Sequence, residues 1–549
     1  MSKLRSQIID LVRRPDATAV AMLIAAIGVL YAVGGAPLGA YAWPDSPRHA
    51  LNGAFVMDFV GDMPLGDPTG YAYTYYEKYP ALTILFYPPA FSFLLAPFYA
   101  VFGVSHATAL AVVFLFYAAL AAGAYAFARL WLPTWSALGV ALALVAAPEV
   151  AYWGRQVMLE IPAFAFGIWS AVFFVRYLRN EKIPALYLAA AFLVFAVHIK
   201  LSIVFLAAPY AICLLMKRGV ALFADKHTWI IAALALLGLS PLVALSVLFG
   251  QANVQSVSGI ADAEVSRWSL GGWLWYAEKI PSQIGWLATL VAIGGLGALA
   301  WRRYRPAPGE AGLQNAVFLG LWFGLGYLFF SAIDLKEARH SLFILPPIIL
   351  LAGYALTRWI RAPIVATAAC LALGGFAFVS TLAVRPVLYV GDYDAAIARV
   401  ADVAPEDSVV VFSGYWDGAF VYSVRADAKR PDLSVTRADK LLLDIAVRRE
   451  LGVEQRDYTA AEINDLLDRI GAYYIVAEVD FWTDLDQMAK LQSVLQSDEF
   501  IEEGRYGIGS RGRPGHTLVL YRNARDVSQN PEAVVNNLSI INRTLGEDE

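Results

Sequence analysis

Two acidic residues lie directly beside long apolar runs, and both have a type and position suited to acid–base chemistry. Asp45 lies in the segment WPDSPRH at 43–49, after the first apolar run, and Glu160 precedes a later run in the segment RQVMLEIP at 155–162. A carboxylate in a dry, positioned site takes a proton from an attacking hydroxyl, and a second one stabilises positive charge on the reacting carbon. The alternatives are a solvated loop acid and, for Glu160, an acid that meets the dipole of a helix N-terminus.

Basic side chains also lie beside the apolar runs, and a group of them suits the binding of an anion. Lys200 separates two apolar runs, and Arg339 belongs to the segment KEARH at 336–340. Arginine binds phosphate through two parallel hydrogen bonds, and cations around a departing phosphate stabilise it. Lys200 alternatively extends its ammonium group to the membrane interface, and Arg339 alternatively pairs with Asp334 or Glu337. Lys200 and Arg339 are therefore the candidate anion-binding residues at this point.

The composition excludes an ordinary soluble protein. Of the 549 residues, 59% are hydrophobic and 16% are charged, whereas a soluble globular chain carries roughly 25% charged residues. The formal net charge of −4 gives no indication of nucleic-acid binding. The two cysteines, Cys213 and Cys370, lie in apolar runs and are interpreted as buried thiols, not as a disulfide framework. Most of the chain is therefore predicted to meet lipid.

Long apolar runs predict a polytopic α-helical membrane protein. The first run follows a basic N-terminus and is interpreted as an uncleaved anchor, although the segment AYA at 40–42 leaves signal cleavage open. The apolar segment 89–104 is predicted to lie along the membrane interface, because only then do the later basic loops share the cytoplasmic side with the N-terminus. About eleven transmembrane helices follow, in runs near 17–40, 107–128, 134–148, 161–176, 184–199, 201–216, 229–249, 284–301, 315–333, 342–358 and 364–384.

The composition changes near Arg385, where a soluble domain is predicted. Buried strands are predicted at 407–413, 472–477 and 517–521, and helices at 461–470 and 484–495. The pattern is typical of an α/β domain, and the predicted topology places this domain outside the cytoplasm. The predicted organisation is a transmembrane domain at 1–384 with a first outer loop at 41–106, an extracytoplasmic α/β domain at 385–523 and a polar tail at 524–549.

The sequence contains no HExxH, CxxC or P-loop motif. A divalent cation such as Mg²⁺ or Mn²⁺ is compatible with Asp45 and Glu160, because hard cations prefer carboxylate oxygens, but nothing in their spacing requires one. No metal-ligand set and no certain cofactor is therefore predicted.

Several short motifs, taken in order, resemble the GT-C glycosyltransferases, specifically the bacterial relatives of protein O-mannosyltransferases and of lipid A aminoarabinose transferases. That family has an acid in its first outer loop, followed by a tyrosine or histidine, and Asp45 and His49 match this pattern. The acid is often followed by glutamate, where this chain has Ser46. In this chain Pro88-Pro89 and Phe102-Gly103 resemble the family's motifs at the two ends of an interfacial helix. Glu160 and Lys200 resemble its second acid and its lysine after an apolar helix. Lys336, Arg339 and His340, which precede Pro346-Pro347, resemble its basic motif before a proline-rich span, with His340 where the family has tyrosine.

The resemblance implies an inverting glycosyltransferase whose sugar donor is linked to a polyprenyl phosphate on the outer, periplasmic face of the inner membrane. Asp45 would be the general base, and Glu160 would orient the acceptor or assist the developing charge. The implied partners are the lipid-linked donor, the bilayer, and an acceptor that is a glycolipid, a polysaccharide or a protein. Donor phosphate would be bound by Lys200, Arg339, His340, Arg155 and Lys336, and the acceptor or sugar pocket would contain His49, Arg48, Tyr79 and Tyr87.

Two other classes of function remain open from the sequence. A GT-C-like chain also suits a polymerase, a ligase or an oligosaccharide transferase, which the size of the transferred group would separate from a single-sugar transferase. A transporter without chemistry is disfavoured. Transporters typically show inverted repeats and charges at the membrane midplane, whereas the charged candidates here share one predicted face.

Overall fold

The computed structural model describes residues 15–257, 265–300, 313–391, 393–445, 449, 452–512, 516–528, 536–538 and 543–545. Contacts between residues divide the chain into two compact units. The first unit falls within 1–35, 113–245 and 257–386, and the second falls within 36–112, 246–256 and 387–549. The segment that carries Asp45 therefore shares a unit with the C-terminal part of the chain.

Each apolar run predicted from the sequence is mostly helical within the described residues, although the first run, predicted at 17–40, is helical only as far as Gly34. The helices are α1 (Pro15–Gly34), α2 (Asp45–Asp62), α3 (Pro68–Lys78), α4 (Ala90–Phe102), α5 (His106–Ala128), α6 (Thr134–Val145), α7 (Pro148–Trp153), α8 (Glu160–Asn180), α9 (Ile183–Ile199), α10 (Ala207–Arg218), α11 (Lys226–Val257), α12 (Leu270–Ile284), α13 (Trp286–Ala300), α14 (Leu313–Ser331), α15 (Leu345–Trp359) and α16 (Pro363–Val384). Short 3₁₀ helices occupy Leu201–Leu206, Gly219–Ala224 and Ala338–Ile344.

The apolar helices make the chain an integral membrane protein. In the part of the chain that the structure describes, seven helices are long and apolar enough to cross a membrane. An α-helix rises about 1.5 Å per residue, so about 20 apolar residues span the roughly 30 Å of a bilayer core. Five shorter apolar helices accompany the seven. The predicted membrane fold class is confirmed, and the number of crossing helices beyond the seven stays a prediction.

Helix α4 occupies the segment that the sequence predicts to lie along the membrane interface. It contains Pro97 and is capped by Gly103, whose φ of 85° lies in the left-handed region that favours glycine. With 13 residues, α4 is about 20 Å long, which is shorter than the bilayer core. Its length therefore favours an interfacial position over a spanning one.

The C-terminal part of the second unit is an α/β fold around a five-stranded mixed sheet, as predicted. The strand order is β3-β2-β6-β9-β7, with β2 parallel to β3 and β6, and with β9 antiparallel to β6 and β7. A buried apolar cluster, which includes Val411, Ile475 and Val519 from the central strands, packs helices against the sheet. The strands are β1 (Tyr389–Gly391), β2 (Val409–Ser413), β3 (Ser434–Arg437), β4 (Leu443–Ile445), β5 (Val453–Gln455), β6 (Ala472–Glu478), β7 (Phe500–Gly507), β8 (Gly509–Arg511), β9 (Thr517–Asn523), β10 (Asn536–Leu538) and β11 (Arg543–Leu545), and the helices are α17 (Asp394–Val403), α18 (Asp417–Asp427), α19 (Ala438–Leu442), α20 (Ala460–Arg469) and α21 (Asp486–Leu495).

Strand β1 connects this fold to the segment that follows α1. Val390 forms an isolated antiparallel bridge with Tyr41, in which Tyr41 N donates to Val390 O at 2.8 Å and Val390 N donates to Tyr41 O at 2.9 Å. On its other side β1 pairs with β8. The start of the predicted outer loop is therefore bound to the C-terminal fold through main-chain hydrogen bonds.

Some predicted features lie outside the described residues. They are the basic N-terminal cluster Lys3, Arg5, Arg13 and Arg14, the basic residues Arg302, Arg303 and Arg305, and most of the polar tail at 524–549.

Candidate active site

The first unit contains a buried ion cluster centred on Glu160. Glu160 begins α8, and its side chain is fully buried at 0% exposure. The Lys200 Nζ atom donates a hydrogen bond to Glu160 Oε1 over 2.8 Å, and Arg339 Nη1 lies 3.7 Å from the same oxygen. Since an unpaired buried carboxylate is strongly disfavoured, these two cations are what allow an ionised Glu160 in this place.

Local backbone structure brings the two cations to Glu160. Lys200 lies between α9 and the 3₁₀ helix Leu201–Leu206, with an extended backbone of φ −147° and ψ 116°. This extended residue separates the two helical segments, as it separates the two apolar runs in the sequence. Arg339 lies in the 3₁₀ helix Ala338–Ile344, directly before α15, whose first turn contains Pro346 and Pro347. Proline suits that position, because the first-turn N–H groups of a helix have no partner within the helix.

Arg339 is held by an acid and an aromatic ring in addition to Glu160. Its Nε atom donates to Glu337 Oε2. The Arg339–Glu337 ion pair, which the sequence offers as an alternative to phosphate binding, is therefore present. The guanidinium carbon of Arg339 lies 5.5 Å from the centre of the Trp153 ring, within cation–π range. Trp153 Nε1 in turn donates to Glu149 Oε1 over 2.8 Å. Glu149 is buried, and burial raises the pKa of its carboxyl group.

The other predicted phosphate-binding residues of this unit make contacts of their own. Lys336 Nζ donates to Ser331 O at 2.6 Å, at the C-terminal end of α14, and burial lowers the pKa of its ammonium group. His340 Nε2 lies 3.7 Å from Glu337 Oε2, at the edge of the cluster. Arg155 is buried, and its guanidinium donates to the carbonyl oxygens of Ala151, Gly34 and Arg385 at 2.8, 2.7 and 2.7 Å.

The second unit contains the predicted general base and the predicted pocket residues. Asp45 is the first residue of α2 and is half-buried. Both acidic candidates thus begin a helix, where the helix dipole favours the ionised carboxylate. One turn along α2, the buried His49 ring meets the Tyr87 ring edge-on, with centroids 4.7 Å apart.

Arg48 and Tyr79 have partners within the second unit. Arg48 Nη2 donates to Asp417 Oδ2 over 2.6 Å. Tyr79 is buried, its ring lies 5.2 Å from that of Tyr75, and burial raises the pKa of its hydroxyl to about 12.

The surroundings of Glu160 do not suit a divalent cation. Among the described residues, no group of three or more His, Cys, Asp or Glu side chains could hold a metal ion. Glu160 faces two cations, Lys200 and Arg339, and a metal ion would be repelled by both. Such a cluster instead suits an anion that shares the two cations with the carboxylate.

Sequence reasoning missed Glu149 and Asp417. Glu149 directly follows the apolar run at 134–148 and precedes Trp153 by four residues, which places the two side chains on one helix face. That spacing was a usable signal. Asp417 gave none, because its partner Arg48 lies 369 residues away in the sequence.

Comparison with known proteins assigns the fold. Residues 87–245 match the family described as dolichyl-phosphate-mannose-protein mannosyltransferase. ArnT from Cupriavidus metallidurans in the apo state has a TM-score of 0.61 at 14% identity, covering 92% of this chain and 97% of that chain. The same protein bound to undecaprenyl phosphate gives a TM-score of 0.58, with the same identity and coverage.

A third structure has the same kind of fold within a longer chain. Arabinofuranosyltransferase AftD from mycobacteria has a TM-score of 0.50 at 15% identity, covering 94% of this chain and 42% of that chain. No curated protein sequence matches this chain significantly.

The family match and the similar structures agree on the fold. The chain is a membrane protein with the GT-C glycosyltransferase fold. More particularly, it is similar to ArnT over nearly its whole length. The resemblance predicted from the sequence is confirmed for the fold.

Proposed function

We propose that the chain is an inverting glycosyltransferase that uses a polyprenyl-phosphate-linked sugar as donor. The observation that carries this proposal is the buried cluster of one carboxylate and two cations at Glu160, Lys200 and Arg339, within a GT-C fold. A similar fold in ArnT binds undecaprenyl phosphate. A lipid-linked phosphate is an anion that this cluster would accept, and its two cations would stabilise the phosphate as it leaves.

The proposed reaction is a single displacement at the anomeric carbon. The acceptor hydroxyl loses its proton to Asp45, its oxygen bonds to the anomeric carbon, and the bond from that carbon to the phosphate oxygen breaks with inversion. The polyprenyl phosphate leaves as an anion, held by Lys200 and Arg339. Glu160 would orient the acceptor or assist the charge on the sugar, and it keeps both cations in place by its ion pairs.

The remaining candidate residues receive roles according to their contacts. His340, beside Glu337, is proposed to extend the phosphate site. Arg155 and Lys336 are proposed to act on it indirectly, since both donate to main-chain carbonyl groups. His49 and Tyr87 pack together one turn from Asp45 and are proposed to line the acceptor or sugar pocket, with Tyr79 and Arg48 supporting it.

The proposed topology places this chemistry outside the cytoplasm. The N-terminus is proposed to be cytoplasmic, and the α/β domain at 385–523 to be periplasmic, because the basic loops predicted from the sequence then lie inside. The transmembrane domain at 1–384 would bind the donor from the outer leaflet. The acceptor would be a glycolipid, a polysaccharide or a protein.

The test is transfer by the purified protein in lipid nanodiscs, supplied with a panel of polyprenyl-phosphate sugars. Asp45→Asn is expected to lower the transfer rate by about 10³-fold, the range of a lost general base, while donor affinity stays within twofold of wild type. Asp62→Asn, at the other end of α2 and exposed, is the matched control and should transfer normally. Full activity in Asp45→Asn would remove the base assignment.

The products separate the alternative functions. Transfer of one sugar supports the proposed reaction, whereas transfer of a preassembled block or growth of a chain indicates an oligosaccharide transferase, ligase or polymerase. Movement of the lipid-linked sugar across the membrane of proteoliposomes without any covalent transfer indicates a transporter.

A further inference from the structure

Two ion pairs join helix α2, which begins at Asp45, to helix α18 of the α/β fold. The first connects Arg48 to Asp417, the first residue of α18, over 2.6 Å. Asp417 also pairs with Arg437 at 2.6 Å, and Arg437 pairs with Asp439 at 2.6 Å. Although burial raises the pKa of Asp417, Arg437 and Arg48 together hold it below its ordinary value. The Asp417 carboxylate is therefore ionised and paired with both Arg48 and Arg437.

The second pair lies farther along the same two helices. Arg425 Nη2 donates to both carboxylate oxygens of Asp58 over 2.7 Å, and the Tyr75 hydroxyl donates to Asp58 Oδ2 over 3.0 Å. Asp58 and Arg425 side chains are 20% and 22% exposed, so the pair is mostly shielded from water. A guanidinium that contacts both oxygens of a carboxylate fixes the relative orientation of the two side chains as well as their distance. We call Arg48–Asp417 and Asp58–Arg425 the anchor pairs.

The backbone at the start of α18 also lies close to side chains of α2. An added Cβ at Gly418 would lie 3.2 Å from Arg48 Cγ and 3.3 Å from Pro47 Cγ, so α18 begins directly against the first turn of α2. Tyr99 of α4 shares a 2.9 Å hydrogen bond with Tyr422 of α18, and both side chains are buried. Helix α2 is therefore fixed to α18 along its length, and not at one point.

We propose that the α/β fold positions Asp45 for catalysis through the anchor pairs, which makes Arg48, Asp58, Asp417 and Arg425 positioning residues. This proposal rests on the proposed function, in which Asp45 is the general base. A base must lie within hydrogen-bond reach of the proton it takes, and a misplacement of about 1 Å costs about 100-fold in rate. The α/β fold then contributes to the transfer rate by holding Asp45 in position.

Asp58 and Arg425 offer the cleaner test, because they are remote from the base. Asp58 lies thirteen positions after Asp45 on the same helix, which is about 20 Å along the axis. The variants Asp58→Arg and Arg425→Asp each break the pair and place like charges together, and the double variant restores it with reversed charges. Arg425→Lys keeps the charge, loses the two-oxygen contact, and serves where a reversal fails to fold.

Three quantities are measured for each variant in nanodiscs: kcat with saturating donor and acceptor, the Kd for donor, and amide hydrogen exchange of α2. Each single reversal is expected to lower kcat by about 10- to 100-fold, to speed exchange in α2, and to leave donor Kd within twofold. The double reversal should recover kcat to within about threefold. Asp468→Asn, which breaks the pair with Arg525 elsewhere in the α/β fold, should change none of these quantities.

Several results would overturn the proposal. These are unchanged kcat in both single reversals, unchanged α2 exchange, a double reversal no better than its parents, or an equal loss of kcat in Asp468→Asn. The exchange measurement does not depend on catalysis. Absence of transfer by wild type, or full activity in Asp45→Asn, therefore counts against the proposed function, while faster α2 exchange in the single reversals still shows that the anchor pairs hold the helix.

Discussion

Glu160 and Lys200 form a 2.8 Å ion pair in which the carboxylate is fully buried and the lysine side chain is 18% exposed. The lysine is therefore the member of the pair that an incoming anion can reach. An ammonium group has three N–H donors, one of which serves Glu160. Lys200 can thus donate to the Glu160 carboxylate and to a phosphate oxygen at the same time.

Lys200→Met is expected to weaken donor binding by about 10- to 100-fold and to lower stability by about 3 kcal/mol, because it leaves the buried Glu160 with one cation fewer. The double variant Glu160→Gln/Lys200→Met should regain stability without regaining donor affinity. Thermal unfolding and donor binding in nanodiscs check both statements. Lys182→Met is the matched control, since Lys182 is exposed and a single surface charge contributes little to stability. Recovery of donor affinity in the double variant would contradict a phosphate role for Lys200.

Arg339→Lys is expected to lower kcat/KM for donor by about 10-fold or more, although the charge is kept. Lysine cannot offer the planar two-point contact to a phosphate, and it stacks less well on the Trp153 ring 5.5 Å away. The comparison is Trp153→Phe, which keeps an aromatic face and loses the hydrogen bond to Glu149. That variant should lose less than Arg339→Lys in the same steady-state assay. An Arg339→Lys protein as active as wild type would leave the arginine with a structural role only.

Arg155→Met is expected to act on stability first. The change leaves three carbonyl groups, of Ala151, Gly34 and Arg385, without their donor, and each unsatisfied buried group costs about 1–3 kcal/mol. Gly34 ends α1 and Arg385 follows α16, so the loss loosens the contact between two distant helix ends. Thermal unfolding should show a large fall, while donor affinity of the folded fraction stays within threefold of wild type. A selective loss of donor affinity at unchanged stability would instead place Arg155 on the phosphate.

The α/β fold should become less stable as the pH rises through the titration range of Glu478. Burial raises the pKa of this carboxyl group from 4.5 to about 7. Between those values the folded state holds more protons than the unfolded state, so stability falls from about pH 4.5 to about pH 7 and is level above, with a total of about 3 kcal/mol. Glu478→Gln removes this loss.

Unfolding temperatures at pH 5 and pH 8 provide the check. Glu478→Gln should exceed wild type at pH 8 and lie close to it at pH 5, while Glu454→Gln, at an exposed position, should follow wild type at both. A wild-type unfolding temperature that stays level or rises from pH 5 to pH 8 would contradict a raised pKa of the Glu478 carboxyl group.

The apolar helices and the central strands were predictable because burial leaves a continuous apolar signal. Strands β2 and β6 are buried along their length and were found from that signal. Strand β3 has four residues with polar ends, and β7 is an edge strand with exposed charges, so neither gives an apolar run. Edge strands commonly carry such charges, and they were missed for that reason.

Several residues of the candidate site were also predictable from the sequence, but the residues with which they form ion pairs were not. A charged residue beside a membrane span is costly and is a functional candidate by default, which singled out Glu160, Lys200 and Arg339. The sequence offered Asp334 or Glu337 as partners for Arg339, and the structure adds Glu160. Arg48 was interpreted as a pocket residue, but its partner Asp417 is too far along the chain to be inferred from spacing. Partner choice depends on tertiary proximity, which local pattern does not contain.

The main-chain bridge between Tyr41 and Val390 also sets an order of events during synthesis. The ribosome adds about 5–20 residues per second, so the partner of Tyr41 is made roughly 20–70 seconds after Tyr41 itself. Throughout that interval the segment with Asp45 has already been made, while the strand and the helix that bind it have not. The second unit is therefore completed only after residue 390 has been made, and any chain that stops before that residue lacks the bridge.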